Sequence, residues 1–598
     1  MTDKDYKELR KNLKKDYSKF PVIRVAILSD VSAQYPAQAL RALAYEYRLN
    51  IEIYEGAFDQ IESETIDLDS GLYKFDPEYI LILSASENLC RSFYRTPAID
   101  REVFASSRIS RLFSACERIE KNSRAEVLLC NFTELDDGVY GNLAAVHRSA
   151  LLSTIREINS ILANESRERG RVHLVDICMA GSELGRACAY DPRMFYLSSN
   201  PFSQDFLVNI AERILAVIRT LRGSVKKCLI TDLDGTLWGG IIGDIGLDNI
   251  SIGELGLGRA FSDYQAWLLE LSRRGIAICV CSKNDENTAK EPFISHPDMM
   301  LSLDDIAVFK ANWESKDSNI REIQRTLNIG LDSMIFIDDN PAERDLIKNI
   351  LPGVTVPEIP EDPVFRLPYL QSLGLFETVG ISEEDSKRTE MYKVEGARSS
   401  AKEQAGSIEE YFKSLNMRCT IKPFDAFSVP RIAQLAQRTN QFNLRTRRYS
   451  EVDITSIAES DEFITMCVSL SDNFGDYGII GAVILKHVPE DGIFIDTFLM
   501  SCRVAKRGVE EFIFNRIAGE AEVRGIKHII GEYIPTAKNG PVSGLLADMG
   551  FSKIQRAAGG IPEEVTSADK AGVYTGVSAA YKLNIGEYSV KETFVKEE

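Results

Sequence analysis

Cys228-Leu229-Ile230-Thr231 is a short apolar run that ends in Asp232-Leu233-Asp234 and is followed at once by Gly235-Thr236. An apolar run punctuated by glycine reads as a buried strand opening into a loop. Period-two spacing puts Asp232 and Asp234 on the same side while the chain is extended, so both carboxylates converge on one small volume. Two like charges that close require a cation. Mg²⁺ fits, because it is hard, takes oxygen ligands and is bound by one or two carboxylates together with substrate phosphate. The same spacing also describes an acidic turn after a core strand, so this segment alone leaves two readings.

Later segments add the same pattern. Gly275 to Asn284 is a second apolar run, ending in Cys281-Ser282-Lys283, and Leu331 to Pro341 is a third, ending in Asp338-Asp339. Between them Asn312-Trp313-Glu314-Ser315-Lys316 leads into a helical pattern of Ile320, Ile323 and Leu327. In an open parallel sheet ligands bind beyond the carboxyl ends of the strands, so three runs with polar ends describe one crevice.

This set resembles the haloacid dehalogenase superfamily of phosphoryl-transfer enzymes. Asp232-x-Asp234-x-Thr236 matches the first motif, Ser282 the second, Lys316 (with Lys310 the alternative) the third, and Asp338-Asp339 the fourth. The resemblance implies that Asp232 is the nucleophile on phosphorus and Asp234 the general acid and base. It also implies Mg²⁺ on Asp232, Asp234 (through its carbonyl) and Asp338 or Asp339, with Thr236, Ser282 and Lys316 at the phosphate.

The wording is closer still to FkbH-like proteins, of subfamily IIIC. Leu233 to Gly240, Val280 to Asn284, Phe336 to Arg344, Thr439-Asn440-Gln441-Phe442-Asn443-Leu444 and Asp496 to Arg503 all look like that family. What this implies is a glyceryltransferase and phosphatase. Such an enzyme takes a three-carbon unit from a small phosphorylated acyl donor, 1,3-bisphosphoglycerate, and loads it on the phosphopantetheine thiol of an acyl carrier protein. A stand-alone phosphatase and a coenzyme A-dependent N-acyltransferase are the alternatives. A thioester step needs a thiol; Cys281, beside Ser282 and Lys283, where a nearby metal and ammonium would lower its pKa, is one candidate and Cys502 the other.

The length of 598 residues predicts three or four domains. A formal net charge of −19 argues against sequence-independent nucleic-acid binding, which draws its affinity from Lys and Arg. It leaves a carrier protein open as partner, since local basic patches survive a negative total. No apolar run approaches the roughly 20 residues that span a bilayer, and the first residues lack a signal-peptide core, so no membrane association and a cytoplasmic location are expected. The eleven cysteines lack paired metal-ligand spacing and read as reduced thiols.

The expected fold class is α/β in three domains. Residues 1–222 alternate short apolar runs with helical patterns, which argues a parallel sheet, and resemble SGNH-hydrolase or flavodoxin-like domains. Ser29 or Ser32 would be the hydrolase serine and Asn142 its amide. Asp191-Pro192-Arg193-Met194 has no histidine where the base belongs, so a scaffold or docking role is expected. Residues 223–380 carry the four motifs on a Rossmann-like sheet, with a Gly-rich flap from Trp238 to Gly258 instead of a folded cap, so a neighbouring domain or a protein-borne substrate must exclude water. Residues 381–415 read as a linking helix. Residues 416–598 carry closely spaced strands consistent with an antiparallel sheet and resemble the GNAT acyltransferase fold, a GNAT-like α+β domain. Arg503-Val504-Ala505-Lys506-Arg507-Gly508 is similar to that fold's pyrophosphate loop, although Lys506 stands where glycine is usual. Arg503, Arg507, Gly508 and Asn539 are therefore expected to seat the carrier's pantetheine.

Overall fold

The computed structural model describes residues 5–381, 407–489, 492–501, 504–536, 538–554 and 578–598. These divide into two compact units that meet in sequence at Leu221 and Arg222.

The first unit is built on β1 (Val22–Ser29), β2 (Asn50–Glu55), β3 (Tyr79–Leu83), β4 (Glu126–Cys130) and β5 (Val172–Val175). Every neighbouring pair is parallel and the order is β2-β1-β3-β4-β5, the flavodoxin-like arrangement. Successive residues of β1 and β3 are buried on both faces, as a sheet covered by helices on either side demands. Ala26, Leu28, Ile80 and Ile82 pack under the helices Phe104–Asn122 and Leu151–Arg167 through Ile109, Leu112, Ile155 and Ile158.

The carboxyl end of β1 is internally satisfied. Ser29 Oγ donates to the Val31 carbonyl at 2.8 Å, and the buried Asp30 carboxylate accepts from Ala85 N–H at 2.9 Å. Asn142 lies exposed after β4; the amide that reaches this strand end is instead Asn88, whose Nδ2 donates to the Asp30 carbonyl at 2.6 Å. Asp191 caps the helix Pro192–Ser198 by accepting from Met194 N–H.

The second unit contains two sheets. β6 (Cys228–Thr231), β7 (Ala277–Ser282), β8 (Ile306–Ala311) and β9 (Met334–Ile337) form a parallel sheet in the order β8-β7-β6-β9. Alternation sorts its side chains. Cys228, Ile230, Cys279 and Cys281 pack with Ile320 and Ile323 of the helix Lys316–Leu327. Leu229, Ile278 and Val280 face the helix Gly258–Arg273 through Tyr264 and Leu268.

The other sheet comprises β10 (Arg418–Lys422), β11 (Phe463–Asp472), β12 (Gly475–Val488), β13 (Gly492–Met500), β14 (His528–Tyr533), β15 (Ser552–Ile554), β16 (Ala579–Asn584) and β17 (Lys596–Glu597). Their order is β15-β16-β14-β13-β12-β11-β10-β17. β10 to β13 are antiparallel, but β13 and β14 are parallel, because the helix Val509–Val523 carries the chain back between them. Most of the expected linking helix, residues 382–406, lies outside the described residues.

Candidate active site

β6 delivers Asp232 to its carboxyl end, where the Asp232 N–H still donates to the Ile337 carbonyl at 2.9 Å. β9 delivers Asp338 and Asp339 beside it. Ligand oxygens of Asp232, Asp338 and Asp339 lie within 4.8 Å of one another. The third motif supplies the countercharge: Lys316 Nζ stands 2.8 Å from Asp232 and 2.6 Å from Asp338, with its side chain only 3% exposed. Burial works against the ammonium, yet the two carboxylates outweigh it and raise the Lys316 pKa. Burial, then Asp232, pushes the Asp338 carboxyl above its ordinary range despite that lysine. Asp232 Oδ1 is buried with no hydrogen-bond partner among the described residues. An oxygen-only donor set with one orphaned carboxylate oxygen suits a small hard cation such as Mg²⁺.

Asp234 is held differently. Its Oδ1 accepts from Trp238 Nε1 at 2.9 Å and from Ile242 N–H at 3.0 Å, while Oδ2 accepts from Asn284 Nδ2 at 2.8 Å. Burial raises its pKa, the donors from Ile242 and Trp238 oppose the rise, and Asp232 and Asp339 add to it. A carboxyl poised above its ordinary range and fixed in orientation is suited to exchanging a proton with a leaving group. Trp238 and Asn284 belong to the FkbH-like stretches Leu233 to Gly240 and Val280 to Asn284, but nothing in their spacing reveals that both aim at Asp234.

Of the expected phosphate ligands, Thr236 is engaged with the fourth motif and Ser282 stands at a strand end. The Thr236 hydroxyl accepts from Asp339 N–H at 3.0 Å and donates to Asp339 Oδ1 at 3.2 Å, so it ties the first motif to the fourth. Ser282 ends β7 and is buried, with its carbonyl accepting from Asn312 N–H at 3.2 Å. Lys310 pairs with Glu322, away from the acids, which leaves Lys316 as the lysine of the cluster.

The surroundings of Cys281 argue against the thiol role expected of it. Alternation along β7 turns it into the apolar layer with Cys279 and Ile320, and burial pushes its pKa up to about 12 against the pull of Lys316. Lys283, expected to activate it, is paired with Glu343 at 2.6 Å. Cys502 and Arg503 lie outside the described residues.

The other residues expected to seat pantetheine are engaged within the protein. Arg507 donates to Tyr477 Oη at 2.6 Å, and Gly508, at φ +87°, precedes the helix Val509–Val523. The Lys506 N–H donates to Glu510 Oε1 at 2.6 Å, so a carboxylate from the helix's own first turn takes that amide. Asn539 is fully buried: its Nδ2 donates to the carbonyls of Asn443 and Ile534, and its Oδ1 accepts from Thr536 N–H. β13 and β14 pair only as far as Ile495 and Gly531, and beyond that point Phe442 to Leu444 fills the gap. Leu444 N–H donates to Phe498, Ile534 N–H to Leu444, and Met500 N–H to Phe442. Arg445, buried beside it, bridges Asp496 at 2.9 Å and Glu532 at 3.2 Å.

Such a crevice, on a parallel sheet with three clustered carboxylates and a buried lysine at the strand ends, makes this an enzyme with a haloacid dehalogenase-type phosphatase domain. The N-terminal part of protein BF1531 from Bacteroides fragilis, described as containing a phosphatase domain and complexed with Mg, is similar at 39% identity. The match has a TM-score of 0.61 and covers 63% of this chain and 100% of that one. The chain belongs to the same family as that protein. Residues 24–219 match the family model of the FkbH N-terminal domain. The ribosomal-protein-S18-alanine N-acetyltransferase of Escherichia coli is similar at 17% identity and a TM-score of 0.21, over 28% of this chain and 94% of that one. A search of curated proteins finds no match.

Proposed function

We propose that the protein is a Mg²⁺-dependent phosphatase and acyltransferase that acts on a phosphorylated three-carbon acyl donor of the 1,3-bisphosphoglycerate kind. The acceptor is the phosphopantetheine thiol of an acyl carrier protein, met in the cytoplasm. The observation that carries the phosphatase half is Asp232, with one oxygen on Lys316 and the other orphaned, beside Asp338 and Asp339. The acyl half rests on the FkbH-like wording of the chain and on the FkbH N-terminal domain.

Asp232, the Asp234 carbonyl and Asp338 or Asp339 would hold the ion, which supplies charge neutralisation at the phosphoryl group. Asp232 attacks phosphorus, the bond from phosphorus to the glyceryl oxygen breaks, and Asp234 gives that oxygen its proton. Asp234 then takes a proton from the water that cleaves the aspartyl-phosphate. Lys316 and Ser282 steady the phosphoryl oxygens. At the acyl phosphate the carrier's thiolate attacks the carbonyl carbon, a carbon–sulfur bond forms, and phosphate leaves. Because Cys281 is buried and protonated, the carrier thiol reacts directly in this reading.

The internal engagement of Asn539 and Lys506 favours one alternative, a phosphatase acting alone. One experiment separates the two: incubation with 1,3-bisphosphoglycerate, Mg²⁺ and a pantetheinylated carrier, reading free phosphate and the carrier's intact mass. Glyceryl-loaded carrier, with phosphate release lost in Asp232→Asn, supports transfer. Phosphate release with unchanged carrier mass leaves the phosphatase alone.

A further inference from the structure

Two arginines outside the four motifs reach the loops that carry the acids. Arg344, in the helix Pro341–Ile350 and 7% exposed, donates through Nη1 to the carbonyls of both Asp338 and Asp339 at 2.8 Å. Its Nε donates to Glu358 at 3.0 Å, and Glu358 is also paired with Lys348. Arg366, at the start of the helix Arg366–Ser372, donates through Nη1 to the Gly235 carbonyl, in the turn between Asp234 and Thr236. Its other nitrogens donate to the carbonyls of Pro360 at 3.0 Å and Glu361 at 2.8 Å.

The segment from Glu358 to Arg366 is therefore fastened to both acid-bearing loops, to one through Arg344 and to the other through Arg366. The loops themselves touch. Gly235 has φ +71°, a Cβ there would collide with the Asp339 carboxylate, and Thr236 hydrogen-bonds Asp339 on both its N–H and its Oδ1. Lys316 offsets the charge of Asp232 and Asp338, but the repulsion that Asp339 adds pushes the loops apart, so holding them at a set spacing falls to other groups. A guanidinium presents several donors in a rigid fork, which suits it to fixing backbone carbonyls at a set distance.

We propose that Arg344 and Arg366 are positioning residues, which together with the segment 358–366 set the spacing between Asp232–Asp234 and Asp338–Asp339 and so tune the site for a small divalent cation. Neither touches the reacting atoms: Arg344 acts through the backbone carbonyls of Asp338 and Asp339, and Arg366 through that of Gly235, the residue after Asp234. The inference rests on the phosphatase reading, but its test also reads metal binding directly.

Mg²⁺ titration calorimetry on the full chain, with steady-state phosphate release beside it, supplies the readouts. Arg366→Met is expected to weaken Mg²⁺ binding and to lower kcat by about 10-fold each, within the range for outer-shell partners of metal ligands, with KM little changed. Arg366→Lys, which restores one donor to Gly235, is expected to recover part of both. A purely structural arginine would lower the melting temperature and leave Mg²⁺ affinity unmoved. If Arg366→Met does not fold, Glu358→Gln, which loosens Arg344 from the segment, is read in its place. Mg²⁺ affinity and kcat within about twofold of wild type in the folded variant would overturn the proposal. A wild-type protein that binds Mg²⁺ yet releases no phosphate in an Asp232-dependent way would instead overturn the functional reading.

Discussion

The indole of Trp238 donates to the carboxylate of Asp234 at 2.9 Å, four residues along the chain and across the mouth of the turn that follows β6. This contact gives Trp238, fully buried, a role beyond packing. It holds one oxygen of the proposed acid and base while Asn284 holds the other.

Asn284→Ala tests that hold with little loss of core. Phosphate release is expected to fall about 10-fold in kcat at unchanged KM, a part of the 10²–10⁴ that general acid–base catalysis contributes. Steady-state kinetics check it; a change of less than about twofold would show that Trp238 and Ile242 suffice.

Lys316→Met removes the ammonium from between Asp232 and Asp338 and leaves two buried carboxylates facing each other. Breaking a buried pair costs about 3–5 kcal/mol, so a large drop in melting temperature is expected without metal. Added Mg²⁺ should restore part of it, because the ion compensates the same charges. Thermal unfolding with and without chelator measures both.

Cys281→Ala is expected to leave phosphate release within about twofold of wild type and to cost about 1 kcal/mol of stability, as the loss of one buried sulfur implies. Iodoacetamide should not alkylate Cys281 in the folded protein, since the thiol is buried with its pKa near 12. Peptide mapping after alkylation reads this. Rapid modification that blocks carrier loading would return Cys281 to the mechanism.

Asp30 gives the first unit a pH dependence. Burial raises its pKa from 3.8 to about 6, against the Ala85 N–H and Arg108. The folded state thus keeps a proton that the unfolded chain has lost, so this stability is complete below about pH 4 and is lost as pH rises through about 6. A shift of this size corresponds to about 3 kcal/mol. Amides of β1 and β3 should exchange hydrogen faster at pH 8 than at pH 5, after correction for intrinsic rates. Asp30→Asn should flatten the difference, and a wild-type protein with no such difference would remove Asp30 as its source.

The sequence alone determined the elements that depend on neighbours along the chain. Apolar runs closed by Gly235 or by Asn340-Pro341 define strand ends, and period two places Asp232 and Asp234 where a strand opens into a loop. The helix opened by Lys316 follows from Ile320, Ile323 and Leu327 at helical spacing. Tertiary structure decided which polar groups meet. Thr236 is fastened to Asp339 and Arg366 to Gly235, partners more than one hundred residues apart in sequence, so no local pattern records them. Strand alternation turns Cys281 away from Ser282, and tertiary structure decided what it meets there, because the neighbouring helix supplies the apolar layer it fills. The parallel pairing of β13 with β14 and the entry of Phe442 to Leu444 between them arise the same way. Diverging strands leave backbone donors and acceptors that must be satisfied, and only the folded chain shows which segment is close enough to satisfy them.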